Sequence, residues 1–257
     1  MITLTTDFGL RDPYVAEMKG AILTINPKAM LIDITHDVEK FNIRMGSFML
    51  ASAAPYFPKG TTHLAIIDPG VGTERRGIVV QTKRGFFVGP DNGVLMLAAQ
   101  SQGIESIYEL SNPNLMHPQT SNTFHGRDIF APAAAHIDGG TQPRDFGSEI
   151  KDPVLPHFSE VEQSSGALKG EILYVDDFGN VIFNIKEKNM PNSPVINVKL
   201  PQISLKLKFC KTYGEATIGE PIVLVGSHGF VELALNQGSA AEKFHVKVGD
   251  KIAIMVA

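Results

Sequence analysis

The sequence has only one cysteine, Cys210, so no disulfide forms within the chain and a reducing compartment is the simplest expectation. It has no long block of like charges, and its net charge of −4 argues against a surface built for nucleic acid. No apolar run approaches the roughly 20 residues that cross a bilayer. The first residues lack a basic segment followed by an apolar one, which predicts no signal peptide. We therefore expect a cytoplasmic protein with no nucleic-acid partner and no membrane partner.

The common catalytic motifs are missing as well. The chain contains no Walker loop, no complete G-x-G-x-x-G, no H-E-x-x-H and no G-x-S-x-G nucleophile elbow. Cys210 falls in a strand pattern, and we interpret it as a packing residue. One hypothesis is a metal site, since hard cations prefer carboxylate oxygens, and its candidate ligands are Asp7, Asp33, Asp68 and His125. No paired-ligand spacing supports that hypothesis, so no metal is predicted.

The distribution of patterns along the 257 residues divides the chain in two. Residues 1–150 alternate between strand and helix patterns, which predicts a mostly parallel sheet with helices on both faces. Residues 151–169 have the composition of a linker. Residues 170–257 contain almost only short strand patterns, which predict a small barrel. The expected fold is an α/β N-terminal domain followed by an all-β C-terminal barrel.

Several helix signals are specific enough to test. Asp12 is predicted as the N-cap of the first helix, with Pro13 at its first helical position. Apolar residues follow at steps of three and four, namely Val15, Met18, Ile22 and Ile25. Asn42 is a candidate cap for a second helix that ends near residue 54. Two further helices are predicted at 93–100 and 127–137.

The strongest candidate for chemistry is the segment that begins at residue 64. The apolar run 64–67 predicts a buried strand that ends at Asp68, and a loop with Gly70 and Gly72 follows before Arg75. Ligands of α/β proteins bind beyond the carboxyl ends of such strands. Glycines in the loop allow the backbone to approach a small molecule closely. We therefore interpret Asp68 as a functional carboxylate rather than a packing residue.

Other polar segments have two interpretations each. Asp91 with its neighbours is a turn before a helix or part of a site, and His125 begins a helix or carries chemistry. Residues 176–180 are either a hairpin turn or a loop that offers a carboxylate, an aromatic face and a carboxamide. Such a set suits a ligand with an ammonium group and a flat purine. Residues 227–229 lie in a similar position between two strands.

Four separated segments together resemble a known family. They are TDFGLRDPY at 6–14, DPGVGT at 68–73, FHGRD at 124–128 and DDFGN at 176–180. In this order they resemble the S-adenosylmethionine hydroxide adenosyltransferases, which are relatives of the fluorinase and chlorinase enzymes. The resemblance covers nearly the whole chain, which makes it more specific than any single motif.

The resemblance implies a function and an assembly. The function is the hydrolysis of S-adenosyl-L-methionine, a small-molecule substrate, to adenosine and L-methionine without a cofactor. The assembly is a homotrimer whose active sites lie between the N-terminal domain of one subunit and the C-terminal domain of its neighbour. The alternatives are a halogenase of the chlorinase type, a metal-dependent hydrolase and a non-catalytic sensor of S-adenosylmethionine. Halogenases of the family have a serine donor beside the halide, where this chain has Gly126.

The resemblance also implies roles for individual residues. The catalytic group falls on Asp68, Arg75 and His125, with Arg76 as an alternative position for the arginine. Asp7 matches a carboxylate that binds the ribose hydroxyls.

Five more residues match positions that contact the substrate. Asp12 lies near the methionine part, and Asp176 meets the methionine ammonium. Phe178 lies against the adenine, and Asn180 contacts the adenine edge. Ser227 lies near the methionine carboxylate.

Overall fold

The computed structural model describes residues 1–164 and 166–256. Ser165, in the predicted linker, and Ala257, at the end of the predicted barrel domain, lie outside the described residues. The chain divides into two compact units, Met1–Pro156 and His157–Ala257.

The first unit alternates strands and helices. Its strands are β1 (Ile2–Thr6), β2 (Leu31–Thr35), β3 (Thr61–Ile66), β4 (Gly77–Thr82), β5 (Gly85–Pro90) and β6 (Ile104–Glu109). Its helices are α1 (Tyr14–Ile25), α2 (Ile43–Ala53), α3 (Met96–Gln102) and α4 (Ala131–Asp138), and a π-helical turn, Gly126–Phe130, leads directly into α4. Short 3₁₀ turns occupy Ala54–Tyr56, Pro113–Leu115 and Pro143–Asp145.

The strands form one six-stranded sheet in the order β2-β1-β3-β5-β4-β6. The three pairings among β2, β1, β3 and β5 are parallel, and the two pairings of β4 are antiparallel. Met18 of α1 packs with Ile2 and the alanines of α4 on one face. On the other face, Gly46 of α2 lies so close to Ile67 that a β-carbon would overlap its side chain. The prediction of a mostly parallel sheet covered on both faces is confirmed.

The start of α1 differs from its prediction. The N-cap residue is Pro13, and no side chain caps the helix, so the prediction of Asp12 as N-cap was wrong. Proline has no N–H group to be satisfied, and its fixed φ permits it to occupy the cap itself. Val15, Met18 and Ile22 are buried as predicted, whereas Ile25 is exposed. The prediction for α2 is confirmed, because the Asn42 side chain accepts a hydrogen bond from the Met45 N–H.

The predicted helix at 127–137 is two structures rather than one. Its first part is the π-helical turn, in which the Ala131 N–H donates to the Gly126 carbonyl five residues earlier. Only the second part, α4, has α-helical pairing. Single π-turns inside helices occur often at functional sites. His125 lies immediately before this turn, so the irregularity marks the place of a candidate residue.

The second unit is an all-antiparallel sheet. Its strands are β7 (Glu162–Ser164), β8 (Ala167–Val175), β9 (Val181–Lys186), β10 (Val195–Lys199), β11 (Ser204–Lys208), β12 (Pro221–Val225), β13 (Phe230–Leu235) and β14 (Lys251–Val256). The order is β11-β10-β14-β8-β9-β13-β12, and β7 pairs with β8. One short helix, α5 (Ala240–Phe244), precedes β14, and 3₁₀ turns occupy His157–Ser159, Glu187–Asn189 and Tyr213–Glu215.

A bridge between Phe209 and Val223 joins the two ends of this sheet, so it is nearly closed into a barrel as predicted. The interior is filled by alternating residues of many strands, such as Val181, Phe183 and Ile185 of β9. Part of the segment predicted as a linker contributes β7 and the start of β8. Among the described residues of the chain, no helix has the length and apolar character needed to cross a membrane.

Candidate active site

Two carboxylates leave the sheet of the first unit at the same edge. Thr6, the last residue of β1, pairs in register with Ile66, the last residue of β3. Asp7 follows the first strand directly, and Asp68 follows the second after one residue. Because parallel neighbouring strands end together, both side chains lie at the carboxyl edge of the sheet, where α/β proteins bind ligands.

Arg75 connects Asp68 to His125. Its Nε lies 3.0 Å from Asp68 Oδ1 and 3.1 Å from Oδ2, and its Nη2 also donates to Oδ2. The same Nη2 lies 2.9 Å from His125 Nδ1. The side chain of Asp68 is 6% exposed and that of Arg75 is 12% exposed. Three residues that are far apart in the sequence therefore form one nearly buried, hydrogen-bonded group.

The loop between Asp68 and Arg75 depends on a glycine. Gly72 has φ of +77°, a region that other residues adopt rarely. A β-carbon at this position would lie 2.4 Å from the carbonyl oxygen of Asn122. The loop is closed further by a hydrogen bond of 2.7 Å from the Thr73 hydroxyl to the Gly70 carbonyl. Close approach between two backbones thus brings the Asp68 loop against the segment that carries His125.

The contact with Arg75 determines the tautomer of His125. A guanidinium group only donates hydrogen bonds, so Nδ1 of His125 must accept, and the ring proton of the neutral imidazole lies on Nε2. Burial lowers the pKa of His125 below its usual value, and the charge of Arg75 lowers it further against the opposing effect of Asp68. His125 is therefore neutral over a wider pH range than an exposed histidine, with Nε2–H as a donor.

An ion pair next to His125 anchors its segment. Asp128 is fully buried, and Arg127 Nε donates to it at 2.7 Å while the Ser121 N–H donates at 2.8 Å. Burial alone would raise the pKa of Asp128, but these hydrogen bonds outweigh burial and lower it. Arg127 also reaches Glu17 on α1 at 2.9 Å and lies over the Phe124 ring. The backbone on both sides of His125 is therefore held in place.

Asp7 is buried and organises a second loop. Its Oδ2 accepts a hydrogen bond of 2.8 Å from the Phe41 N–H, and the Lys40 ammonium donates to its carbonyl oxygen. Phe41 has φ of +64°, which is a genuine outlier for a bulky residue. Strained residues of this kind concentrate at ligand sites. The exposed ring of Phe41 and the buried carboxylate of Asp7 thus belong to one feature.

A cleft of about 610 Å³ brings these groups together, which is a usual size for a small-molecule site. Asp68 and His125 both line it. The lining residues are Asp7, Phe8, Asp12, Tyr14, Glu17, Lys40, Phe41, Ile66, Asp68, Val71, Ser121, Thr123, Phe124, His125, Gly126 and Arg127. Phe8, Tyr14 and Phe124 are in mutual edge-to-face contact, with centroids 5.2–5.9 Å apart. The cleft therefore combines carboxylates with an aromatic wall.

The remaining candidates lie in the second unit. Residues 176–180 form the hairpin turn between β8 and β9. Asp176 accepts from the N–H groups of Phe178 and Asn180 at 3.0 and 2.9 Å, and from the Asn180 side chain at 2.9 Å. The Phe178 ring is 81% exposed, whereas Asn180 is buried. Ser227 lies in the turn between β12 and β13.

The chain matches two family models, the SAM hydroxide adenosyltransferase N-terminal domain over residues 2–147 and the C-terminal domain over residues 170–253. The chain belongs to the SAM hydroxide adenosyltransferase family.

Similar proteins agree with this membership. The (R)-S-adenosyl-L-methionine hydrolases of Salinispora arenicola and Methanocaldococcus jannaschii are 36% and 37% identical to the chain, covering 98% and 99% of it and 97% and 95% of their own lengths. A fluorinase of Actinopolyspora mzabensis is 25% identical, covering 99% of the chain and 96% of its own length. A crystal structure of an uncharacterized conserved protein from Thermotoga maritima superposes with a TM-score of 0.89 at 40% identity, covering 99% and 100% of the two chains.

Within this SAM hydroxide adenosyltransferase, the structure separates two arginines that the sequence left as alternatives. Arg75 contacts Asp68 and His125, whereas Arg76 pairs with Asp91 at 2.7 Å and with Asp152 at 2.9 Å. Arg76 therefore holds the end of the first unit, and Asp91 is its buried partner.

Two further findings concern residues outside the predicted group. Asp33 pairs with Lys19 and His36 instead of joining Asp7, and the described residues include no group of three or more histidine, cysteine or carboxylate side chains suited to a metal ion. Phe41 and Phe124 also line the cleft, and neither was predicted as a site residue. Phe124 had a signal, since it directly precedes His125, but nothing in the sequence indicates the left-handed backbone of Phe41.

Proposed function

We propose that this chain hydrolyses S-adenosyl-L-methionine to adenosine and L-methionine. The observation that carries the proposal is the hydrogen-bonded group of Asp68, Arg75 and His125. Two of its members, Asp68 and His125, line the same cleft as the buried carboxylate of Asp7. The names of relatives at 34–38% identity over nearly the full length support the same reaction.

The reaction is an in-line displacement at the ribose C5′. A water oxygen forms a bond to C5′ while the C5′–S bond breaks. The electron pair of the broken C5′–S bond stays on sulfur. The leaving group departs as the neutral thioether of methionine, so it needs no metal and no cofactor to withdraw it. Water is a weak nucleophile with a pKa of about 15.7, so the enzyme must position it and remove a proton.

The geometry supports different roles for the three residues. Asp68 has unused carboxylate lone pairs in addition to those that meet Arg75, so we assign it as the proton acceptor. His125 presents a donor at Nε2, which suits an oxygen that gains negative charge. Arg75 contacts both side chains and balances the charge of Asp68. A positioned base contributes typically about 10²–10⁴-fold in rate, and holding the water in line contributes more.

We assign substrate contacts in the same way. Asp7 would accept hydrogen bonds from the ribose hydroxyls, and Asp12 would lie near the aminoacyl part. In the second unit, Asp176 would meet the ammonium group and Phe178 the adenine face. Asn180 is proposed for the adenine edge.

Ser227 completes the proposed contacts, at the aminoacyl carboxylate.

We further propose a cytoplasmic homotrimer whose sites combine the first unit of one subunit with the second unit of a neighbour. Phe178 is 81% exposed, and covering it with a neighbouring subunit would remove its apolar area from water. Light scattering of the purified protein tests the assembly.

The deciding experiment is hydrolysis in water enriched in ¹⁸O, followed by mass spectrometry of both products. The expected result is label in the 5′-hydroxyl of adenosine and none in methionine. Adenosine without label would reject attack by water on C5′, whereas no adenosine at all would reject hydrolysis and leave a sensor. Arg75→Met should abolish turnover, whereas the matched variant Arg76→Met should retain it.

Two additions to the assay distinguish the other candidate reactions. Chloride replaces the buffer anion in one series, and formation of 5′-chloro-5′-deoxyadenosine would indicate a halogenase. A chelator is present in another series, and loss of activity that returns with a divalent cation would indicate a metal-dependent hydrolase. Unchanged adenosine formation in both series is the expected outcome.

A further inference from the structure

Lys186, the last residue of β9, differs from the other lysines of the second unit. Among the described residues of that unit, it is the one lysine that is not exposed to solvent. Its ammonium lies 5.3 Å from the centroid of the Phe230 ring. No carboxylate among the described residues lies at ion-pair distance from it. Lys169, Lys208 and Lys251, by contrast, each pair with a glutamate.

A half-buried cation without a counter-charge is unfavourable. Burial lowers the pKa of Lys186 below its usual value, and the nearby charge of Lys188 lowers it further. A contact with one aromatic face contributes about 0.5–2 kcal/mol, whereas a buried charge needs pairing and hydrogen bonds. Within the described residues, Lys186 therefore has room for an anion at ion-pair distance that no carboxylate of the chain supplies.

The position of Lys186 indicates where that anion binds. Lys186 is paired in register with Phe230, and the N–H of Glu187 donates to the Gly229 carbonyl at 3.2 Å. Lys186 thus lies beside the turn that contains Ser227. Val181, Phe183 and Ile185 of β9 point into the barrel core. Because side chains alternate along a strand, Lys186 lies on the outer face.

The same outer face carries negative charge nearby. Glu232 is two residues from Phe230 on β13, about 7 Å along the strand and on the same side. It is nearly buried, accepts from the Tyr213 hydroxyl, and approaches Gly226 so closely that a β-carbon there would lie 2.4 Å from its Oε2. Lys186 and Glu232 therefore both lie on the outer face next to the turn that contains Ser227.

We propose that Lys186 binds the α-carboxylate of the aminoacyl group of the substrate. This inference rests on the proposed function, since it takes S-adenosylmethionine as the ligand, and it adds a residue that recognises the carboxylate. Lys186 takes no part in bond making, so its effect lies in binding and in discrimination against sulfonium compounds without a carboxylate.

The test compares Lys186→Met with the matched variant Lys188→Met, which removes an exposed lysine two residues away. Each is assayed with S-adenosylmethionine and with its decarboxylated analogue, which keeps the sulfonium and the ammonium. Lys186→Met should lower kcat/KM for S-adenosylmethionine by about 10- to 100-fold, the usual effect of losing a hydrogen bond to a charged group. It should leave kcat/KM for the analogue unchanged, and Lys186→Arg should restore most of the loss.

Three outcomes would overturn the inference: equal losses on both sulfonium compounds, no loss on S-adenosylmethionine, or an equal loss in Lys188→Met. The first would show that Lys186 only supports the fold. Failure of the proposed function is seen separately, as absence of adenosine with the wild-type chain. In that case calorimetric binding of S-adenosylmethionine to the same variants decides the inference, because weaker binding in Lys186→Met alone supports it and equal binding rejects it.

Discussion

Removing Arg75 and Asp68 singly and together should reveal a strong energetic coupling between them. Their side chains are 12% and 6% exposed, and several donor–acceptor contacts join them. Breaking such a buried pair on one side leaves a charge without its partner, which costs about 3–5 kcal/mol. Arg75→Met and Asp68→Asn should each lose stability in this range, whereas the double variant should lose about 2–3 kcal/mol less than the sum.

The measurement is a double-mutant cycle from urea denaturation of the four proteins. The matched control is the cycle of Arg76→Met and Asp152→Asn. The Arg76–Asp152 ion pair has an N–O distance of 2.9 Å, but the Asp152 side chain is 82% exposed. Exposed pairs contribute at most about 1 kcal/mol, so the control coupling should be small. A coupling below about 0.5 kcal/mol between Arg75 and Asp68 would refute the structural reasoning.

Activity should follow a different pattern from stability. All three variants of the Arg75–Asp68 pair should lose turnover, because the double variant restores charge balance but not the proton acceptor. The double variant is therefore expected to lose less stability than the sum of the losses of the two single variants, and still to be inactive. Wild-type turnover in Asp68→Asn would contradict the role of this carboxylate.

Three further outcomes are expected. Burial lowers the pKa of His63 to about 4, so between pH 6.5 and 4 the unfolded chain binds a proton that the native state does not. In urea titrations, the free energy of unfolding should therefore fall with falling pH by up to about 3 kcal/mol relative to His63→Gln. Parallel pH curves for the two proteins would contradict this. The acid limb of kcat/KM should lie below pH 6.5, since burial and Arg75 lower the pKa of His125; a limb above that pH would show that another group controls it. Gly179→Ala should unfold more easily than Gly219→Ala, because both have positive φ but only the Gly179 β-carbon would overlap Ser239, at 2.1 Å from its Oγ; equal thermal midpoints would count against this.

The two-part architecture followed from local patterns, because strand and helix periodicity is set by short segments. Asp68 was recognisable for the same reason, since it ends an apolar run and enters a glycine loop. The choice between Arg75 and Arg76 was not, because the two residues are adjacent and only the path of the loop decides which one meets His125. The cap of α1 was mispredicted because Asp12 and Pro13 both favour helix starts, and their signals overlap by one residue.

The features that depend on distant contacts had no sequence signal. The backbone of Phe41 is held by the carboxylate of Asp7, 34 residues earlier, and nothing around Phe41 predicts a left-handed conformation. The π-helical turn after His125 is defined by the backbone hydrogen bond from Ala131 to Gly126, which the composition of the segment does not predict. These features lie around the cleft, where local preferences are overridden by the needs of a site.

The close approach of Gly72 to Asn122 has a consequence for how this protein can diverge. The loop that contains Gly72 and the segment that contains Asn122 are in such close contact that neither has room for an additional atom at this point. An insertion or deletion in one of them would therefore require a compensating length change in the other. Descendants of this chain should vary these two stretches jointly or not at all, and a library that randomises only one of them should yield few folded members.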